Sequence, residues 1–490
     1  MKKTFLSMAV LLWVLPGAAQ TQTGLPDTPA ARALAKVLAF IDSGDGDGFG
    51  RFAKGAFTEE FLRAVPADQM AQHVVQLHEN TSGLEVETVQ SRSDDEIEIN
   101  ARARRNPDYK AHMVLRLSSS HLIAELRLGI LDPARQPHPY VDVSPKASVA
   151  ERIAAIDREV QARGADGQFS GGVLIAQGEK VLLQRAVGLA DQSFAVPNTA
   201  ETKFHIGSQT KMFTAVAAAQ LAAEGRLKFG DPMGKYLTDY PDRAVASQIT
   251  VDQLLTHTSG LGDFQTPDYD RERWQLHGLA DLYRFFANQP LRFAPGKGWG
   301  YSNAGMMLVG LIVERVSGSP YTDYIREHVF RPAGMQNSGF DAVSDVTSNL
   351  AVGYTHATEK GSRQGPLRSN LMMIPNGNPA GGAYSTAGDM LRFAAALRAH
   401  RLLDGASTEL VTAPHVKAEG PPELFYGYGF RVVTINGQRA YGHGGSVPGG
   451  NSELFIFPDM DLTVIALAND DPPSASRIVT PICELLTGAK

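Results

Sequence analysis

Between residues 84 and 131 apolar and polar side chains alternate, as in Ile97-Glu98-Ile99-Asn100-Ala101-Arg102 and Ala124-Glu125-Leu126-Arg127-Leu128. Successive side chains of a strand point to opposite faces, so this period of two predicts about four half-buried antiparallel strands. Upstream, Asp27-Thr28-Pro29 supplies a capping side chain and a first-turn proline, which predicts a helix over residues 30–41. The run Asp42-Ser43-Gly44-Asp45-Gly46-Asp47-Gly48 looks superficially like a calcium loop. It has no Asp-x-Asp-x-Asp-Gly register and no closing glutamate, so a polar loop is expected there. One or two helices followed by about four strands predict a small α+β domain over residues 27–134, with helices on one sheet face.

From Asp132-Pro133 through Ser144-Pro145 the chain is rich in proline, which stops both helix and strand and predicts a stiff linker over residues 135–147. A second domain, residues 148–490, then opens with a helix over 149–163 and a hairpin made by Gly171-Gly172-Val173-Leu174-Ile175-Ala176 and Val181-Leu182-Leu183-Gln184. Near the far end, Tyr428-Gly429-Phe430-Arg431-Val432-Val433 is expected to be a strand. Leu454-Phe455-Ile456-Phe457 and Leu462-Thr463-Val464-Ile465-Ala466-Leu467 form a second hairpin before a helix over 475–486. Strands at both ends with helices between them predict one antiparallel sheet flanked by helices. The helix-rich middle, 252–397, is then an inserted lobe, with a substrate cleft between lobe and sheet. The run 209–223, rich in Ala, Met, Phe and Leu with few charges, predicts a largely buried helix opening at Ser208.

Composition narrows the function classes. In 490 residues, 43% are hydrophobic and the net charge is -6 with no long basic run, so there is no electrostatic footprint for nucleic acid. Small molecules or cell-wall polymers are the expected partners, and oligomeric state is left open. Met1-Lys2-Lys3, the apolar run Phe5 to Leu15 and Pro16-Gly17-Ala18-Ala19 fit an export signal over residues 1–20, too short to span a bilayer. The chain is therefore expected to be periplasmic or secreted. No cysteine follows the apolar run, which argues against a lipid anchor. The single cysteine, Cys483, allows no internal disulfide and is expected to be a small buried side chain.

Three strings carry candidate chemistry. Ser208 and Lys211, in the chain's one S-x-x-K, lie three apart and share a helix face, so hydroxyl and amine can touch. A lysine activates a serine only if burial favours its neutral form. The same string also fits a serine cap at the start of a surface helix. Pro295-Gly296-Lys297-Gly298-Trp299-Gly300-Tyr301-Ser302-Asn303 ends in the chain's one Y-x-N, and in an extended loop its phenol and amide project the same way. In Tyr441-Gly442-His443-Gly444-Gly445-Ser446 the glycines let backbone N–H groups approach a ligand closely. No metal or cofactor is implied.

Ser208-x-x-Lys211, Tyr301-x-Asn303 and His443-Gly444-Gly445, in that order, resemble the three signatures of the serine β-lactamase and penicillin-binding-protein family, above all its class C-like branch. Leu254-Leu255-Thr256-His257-Thr258-Ser259-Gly260-Leu261 and Ala380-Gly381-Gly382-Ala383-Tyr384-Ser385-Thr386 add to the likeness, which spans about residues 150–487. The first domain resembles the NTF2-like domains fused ahead of some secreted hydrolases. The main resemblance implies an acyl-enzyme hydrolase with Ser208 as nucleophile and Lys211 and Tyr301 sharing the proton, which of them is the base being left open. Asn303, His443, Gly444, Gly445 and Ser446 would line the substrate site. The N–H groups of Ser208 and Ser446 would hold the oxyanion, at roughly 3 kcal/mol per donor.

The sequence departs from the lactamases at His443, where they usually carry lysine. A histidine near its ordinary pKa is largely neutral at pH 7 and holds a substrate carboxylate poorly, so the resemblance implies a peptidase or esterase with weak β-lactamase activity. His205 and His257 are expected to be structural. No G-x-S-x-G elbow and no His-Glu-x-x-His string is present, which argues against an α/β-hydrolase and a zinc hydrolase. The alternative is a non-catalytic or slowly turning-over penicillin-binding or sensor protein of the same fold.

Overall fold

In a computed structural model of the chain the alternating segment is a meander of four antiparallel strands: β1 (Leu84–Ser93), β2 (Glu96–Ala103), β3 (Lys110–Leu117) and β4 (Ile123–Leu131), in that spatial order. The structure describes residues 24–488 apart from 66, 105–109, 132–138, 141, 265–266, 273–274, 277, 342–344, 357–366, 371–377 and 419–423. The expected export signal lies outside the described residues, as does part of the proline-rich stretch. The chain divides into two units, Met1–Gln136 and Pro137–Lys490.

In the first unit β2 alternates residue by residue, burying Ile97, Ile99 and Ala101. Four helices form where one or two were expected: α1 (Pro29–Ser43), α2 (Gly46–Ala56), α3 (Glu59–Ala64) and α4 (Ala67–Thr81). Thr28 caps α1 as its sequence predicts, its hydroxyl accepting from Ala31 N at 3.2 Å. The expected polar loop after α1 is a correction. Gly44 ends α1 in the left-handed region at φ 69°, Asp45 accepts from Gly48 N at 2.8 Å, and α2 begins inside the glycine run. Glycine is a poor helix former, so this start depends on packing: Phe49 is buried and its ring meets Phe40 edge-on at 5.6 Å.

The second unit is assembled from both ends of its chain segment. After α5 (Val149–Ala165), whose N-terminus is closed by a reciprocal Ser148–Glu151 capping box, come β5 (Gly171–Gln177) and β6 (Lys180–Val187). The late strands are β7 (Val416–Lys417), β8 (Phe425–Tyr426), β9 (Arg431–Ile435), β10 (Gln438–Val447), β11 (Gly450–Phe457) and β12 (Leu462–Ala468). They form one antiparallel sheet in the order β7-β8-β9-β10-β11-β12-β5-β6. The ends join where β12 pairs β5, from Leu462 opposite Gln177 to Ala468 opposite Gly171. The expected strand at 428–433 starts later, because Gly429 sits at φ 71° and breaks the extension.

Period two sorts the core. Val173, Ile175, Val464 and Ala466 face one layer with Ile156 and Val160 of α5 and Ile482 and Cys483 of the last helix. Leu174, Ile465 and Leu467 face the other, with the helical lobe and α6 (Thr210–Ala223). A small three-stranded sheet of Gly339–Phe340, Ala383–Ser385 and Phe204–His205 ties the lobe to the start of α6. Phe213 of α6 meets Phe330 and Phe393 edge-on at 5.0 and 4.9 Å. Phe213→Ala is expected to destabilise this unit by about 3–5 kcal/mol, read as a lower midpoint of its transition in urea.

Candidate active site

Ser208 lies in a single 3-10 turn, Gly207–Gln209, that leads straight into α6. Gly207 has φ 53°, and a Cβ there would lie 3.0 Å from the backbone N of Ser446, so glycine lets the turn abut β10. One helical turn on, Lys211 is fully buried. Its Nζ lies 2.9 Å from Ser208 Oγ and donates to Asn303 Oδ1 at 2.8 Å and to the Ala380 carbonyl at 2.5 Å. Burial lowers the Lys211 pKa to about 7, with the Asp263 carboxylate pulling the other way. The Ser208–Lys211 string is thus not a capped surface helix start.

Tyr301 and Asn303 reach the same place by a different route from the one expected. Ser302 caps α7 (Asn303–Ser317), its hydroxyl accepting from Gly305 N at 3.0 Å. Tyr301 is therefore the last loop residue and Asn303 the first helical one. The Tyr301 ring centroid is 4.8 Å from Lys211 Nζ, and its hydroxyl shares a hydrogen bond with Ser208. Burial pushes the phenol well above its ordinary pKa, so it is a neutral hydroxyl near pH 7. Asn303 Nδ2 donates to Asp263 Oδ2 at 2.9 Å. Sequence reasoning missed Asp263, although it stands two residues past the Leu254–Leu261 stretch.

The third string closes the site from the sheet. β9 pairs β10 only from Ile435 to Arg431, opposite Gly442, so among the described residues the edge beyond it has no strand partner from β9 and takes the Ser208 turn. A Cβ at Gly445 would lie 1.9 Å from the Ile206 carbonyl, which excludes any side chain there. Ser446 is exposed beside the turn, and Gly444 is flanked by the Arg431–Glu453 ion pair.

His443, expected among the substrate-lining residues, is turned into the protein. It is 3% exposed, with Nδ1 donating to the Gly444 carbonyl at 2.5 Å and Nε2 accepting from Tyr426 Oη at 2.9 Å. Burial, with the charges of Arg431 and Lys211, holds it well below the usual imidazole pKa. His257 lies under the site, its ring 4.4 Å from that of Tyr301 and its Nδ1 accepting from Ser302 N at 3.3 Å. His205 contacts Asp341 at 3.2 Å.

A cleft of about 690 Å³ in the first unit, lined by Leu38, Asp42, Glu85 and Arg102, holds no such constellation. In it Arg102 pairs with Glu85 at 2.9 Å and Arg104 with Asp42 at 2.7 Å.

A family model described as Beta-lactamase matches residues 156–488, more than half of the chain. The chain belongs to the beta-lactamase family. It is a serine hydrolase of the beta-lactamase fold, with all three strings inside the matched region. It is 30% identical over 325 residues to the putative penicillin-binding protein PbpX of Bacillus subtilis, covering 65% of this chain and 75% of that one. It is 29% identical over 375 residues to the esterase EstB of Burkholderia gladioli, covering 66% and 91%. Among solved structures, a penicillin-binding protein from Bacillus halodurans matches with a TM-score of 0.59 and 32% identity, over 67% of this chain and 98% of that one. Among the described residues, no helix is long and apolar enough to cross a membrane.

The burial of the two site histidines of this family member makes a spectroscopic prediction. In histidine-labelled protein, the His257 and His443 imidazole shifts are expected to stay at their neutral values from pH 8 down to pH 6. Titration of either near its ordinary value contradicts the assignment.

Proposed function

We propose that the chain is an exported serine hydrolase that cleaves an amide or ester, such as a D-amino-acid peptide or a simple ester, through an acyl-enzyme on Ser208. The observation that carries this reading is a fully buried lysine, neutral above about pH 7, with its nitrogen 2.9 Å from a half-buried serine hydroxyl. Lys211 is the base: the Ser208 O–H proton passes to its Nζ as Oγ bonds to the substrate carbonyl carbon. The burial that raises the Tyr301 pKa disfavours a phenolate, which supports Tyr301 as the neutral hydroxyl that relays a proton to the leaving group. The N–H groups of Ser208 and Ser446, brought together by Gly207 and Gly445, hold the oxyanion. Gly444 and Asn303 line the substrate side, and water completes the cycle by releasing the acyl group.

The site's charges bear on substrate choice. His443 is neutral and turned inward, and Arg431 is paired with Glu453, so neither offers a free cation to a substrate carboxylate. This favours neutral esters and amides over penicillins. The basic start and short apolar run at residues 1–20 support export, and the four helices and antiparallel meander support the NTF2-like reading of residues 27–134.

Mature protein incubated with a fluorescent penicillin or a serine-reactive fluorophosphonate, and read by intact mass with Ser208→Ala as control, tests the reading. Fluorophosphonate labelling that depends on Ser208, with transient penicillin labelling, is expected; permanent penicillin labelling marks a binding protein instead. Turnover of a short-chain p-nitrophenyl ester should exceed that of benzylpenicillin by at least about tenfold, the size of one missing charge-assisted hydrogen bond. Its kcat/KM is expected to rise with pH through about 7 as Lys211 loses its proton.

A further inference from the structure

We propose that Asp263 is a positioning residue for the proton transfer, fixing the Asn303 amide so that the lone pair of neutral Lys211 faces Ser208. The inference rests on the reading of Ser208 and Lys211 given above. Asp263 is half-buried, its Oδ1 accepting from Phe264 N at 2.7 Å and its Oδ2 from Asn303 Nδ2 at 2.9 Å, with Asn303 N at 3.4 Å. An ionised carboxylate only accepts hydrogen bonds, so the amide must turn its nitrogen toward Asp263 and its oxygen toward Lys211. The flipped amide would set its oxygen against the carboxylate oxygen and turn an N–H toward Nζ, where it would take the lone pair that Ser208 needs.

Lys211 meets a second obligate acceptor in the Ala380 carbonyl, at 2.5 Å. A neutral amine has two N–H bonds and one lone pair. With both hydrogens spent on Asn303 Oδ1 and Ala380 O, the remaining tetrahedral direction is the one toward Ser208 Oγ, 2.9 Å away. Ser208 then donates to Nζ. When Oγ attacks a carbonyl carbon, the O–H bond breaks, the proton goes to that lone pair, and the ammonium formed sits over the Tyr301 ring in the field of Asp263. His257 and His443, both neutral, lie in its field, His257 also in that of Arg292, and Tyr301, whose ring is 4.8 Å away, lies in the fields of Arg431 and Asp263.

The test uses the full chain, wild type and with Asp263→Asn, Asp263→Glu or Asn303→Ala, after thermal melts establish which variants are folded. The readout is the second-order rate of fluorophosphonate labelling of Ser208 from pH 5 to pH 9. Asp263→Asn should lose on the order of tenfold in rate, since an asparagine there no longer dictates the amide's orientation. Its acid limb should move to lower pH, because the carboxylate that favours protonated Lys211 is gone. Asp263→Glu should keep the limb and recover part of the rate, and Asn303→Ala should lose rate as Asp263→Asn does. Wild-type rate and limb in Asp263→Asn, or equal losses in Asp263→Asn and Asp263→Glu with an unmoved limb, overturn the proposal. Wild-type rate in Asn303→Ala overturns it independently. A wild-type chain that takes no label overturns the proposed acyl-enzyme on Ser208, and this inference with it.

Discussion

A lysine amine held out of water is the constraint around which this site is organised. Removing an ammonium from solvent costs several kcal/mol unless it is paired, so Lys211 is either neutral or surrounded by acceptors. It is close to both conditions: oxygens of Ser208, Asn303 and Ala380 surround the nitrogen, and its pKa falls to about 7. The three oxygens come from a helix start, another helix start and a loop far apart in the chain. Each must be held to within a few tenths of an ångström by something else. A capped α7 holds Asn303, the small sheet that pairs Tyr384 with His205 holds the Ala380 segment, and β10 holds the Ser208 turn.

Close backbone approach makes that convergence possible. Gly207 and Gly445 remove the two side chains that would separate the turn from the sheet edge. Gly429 does the same between the sheet and α6, where a Cβ would lie 2.5 Å from the Lys211 carbonyl. The sheet edge is available because β9 stops pairing at Arg431, leaving the end of β10 to the turn. Joining β12 to β5 supplies the rigid floor, with buried residues on both faces of these strands.

The site's electrostatics follow from burial more than from its formal charges. His257, His443, Tyr301 and Tyr426 are all driven toward their neutral forms by desolvation, and Arg431 is paired with Glu453. Lys211 touches the serine directly, and Asp263 reaches it through Asn303.

The sequence by itself determined the element types wherever periodicity was strong. The alternating strands at 84–131, the two end hairpins and the apolar run behind Ser208 were legible because period and burial are local properties of a segment. Ser208, Lys211, Tyr301 and Asn303 stood out as two short strings, but only the Ser208–Lys211 contact follows from a local helical spacing. What only the tertiary structure decided were features set by contacts distant in sequence. Helix α2 grows from a glycine run because Phe49 has a core to enter. His443 faces Tyr426 instead of substrate because β8 and β10 bring them together. Asp263 belongs to the site because its loop passes the first residue of α7, a proximity that no local spacing encodes.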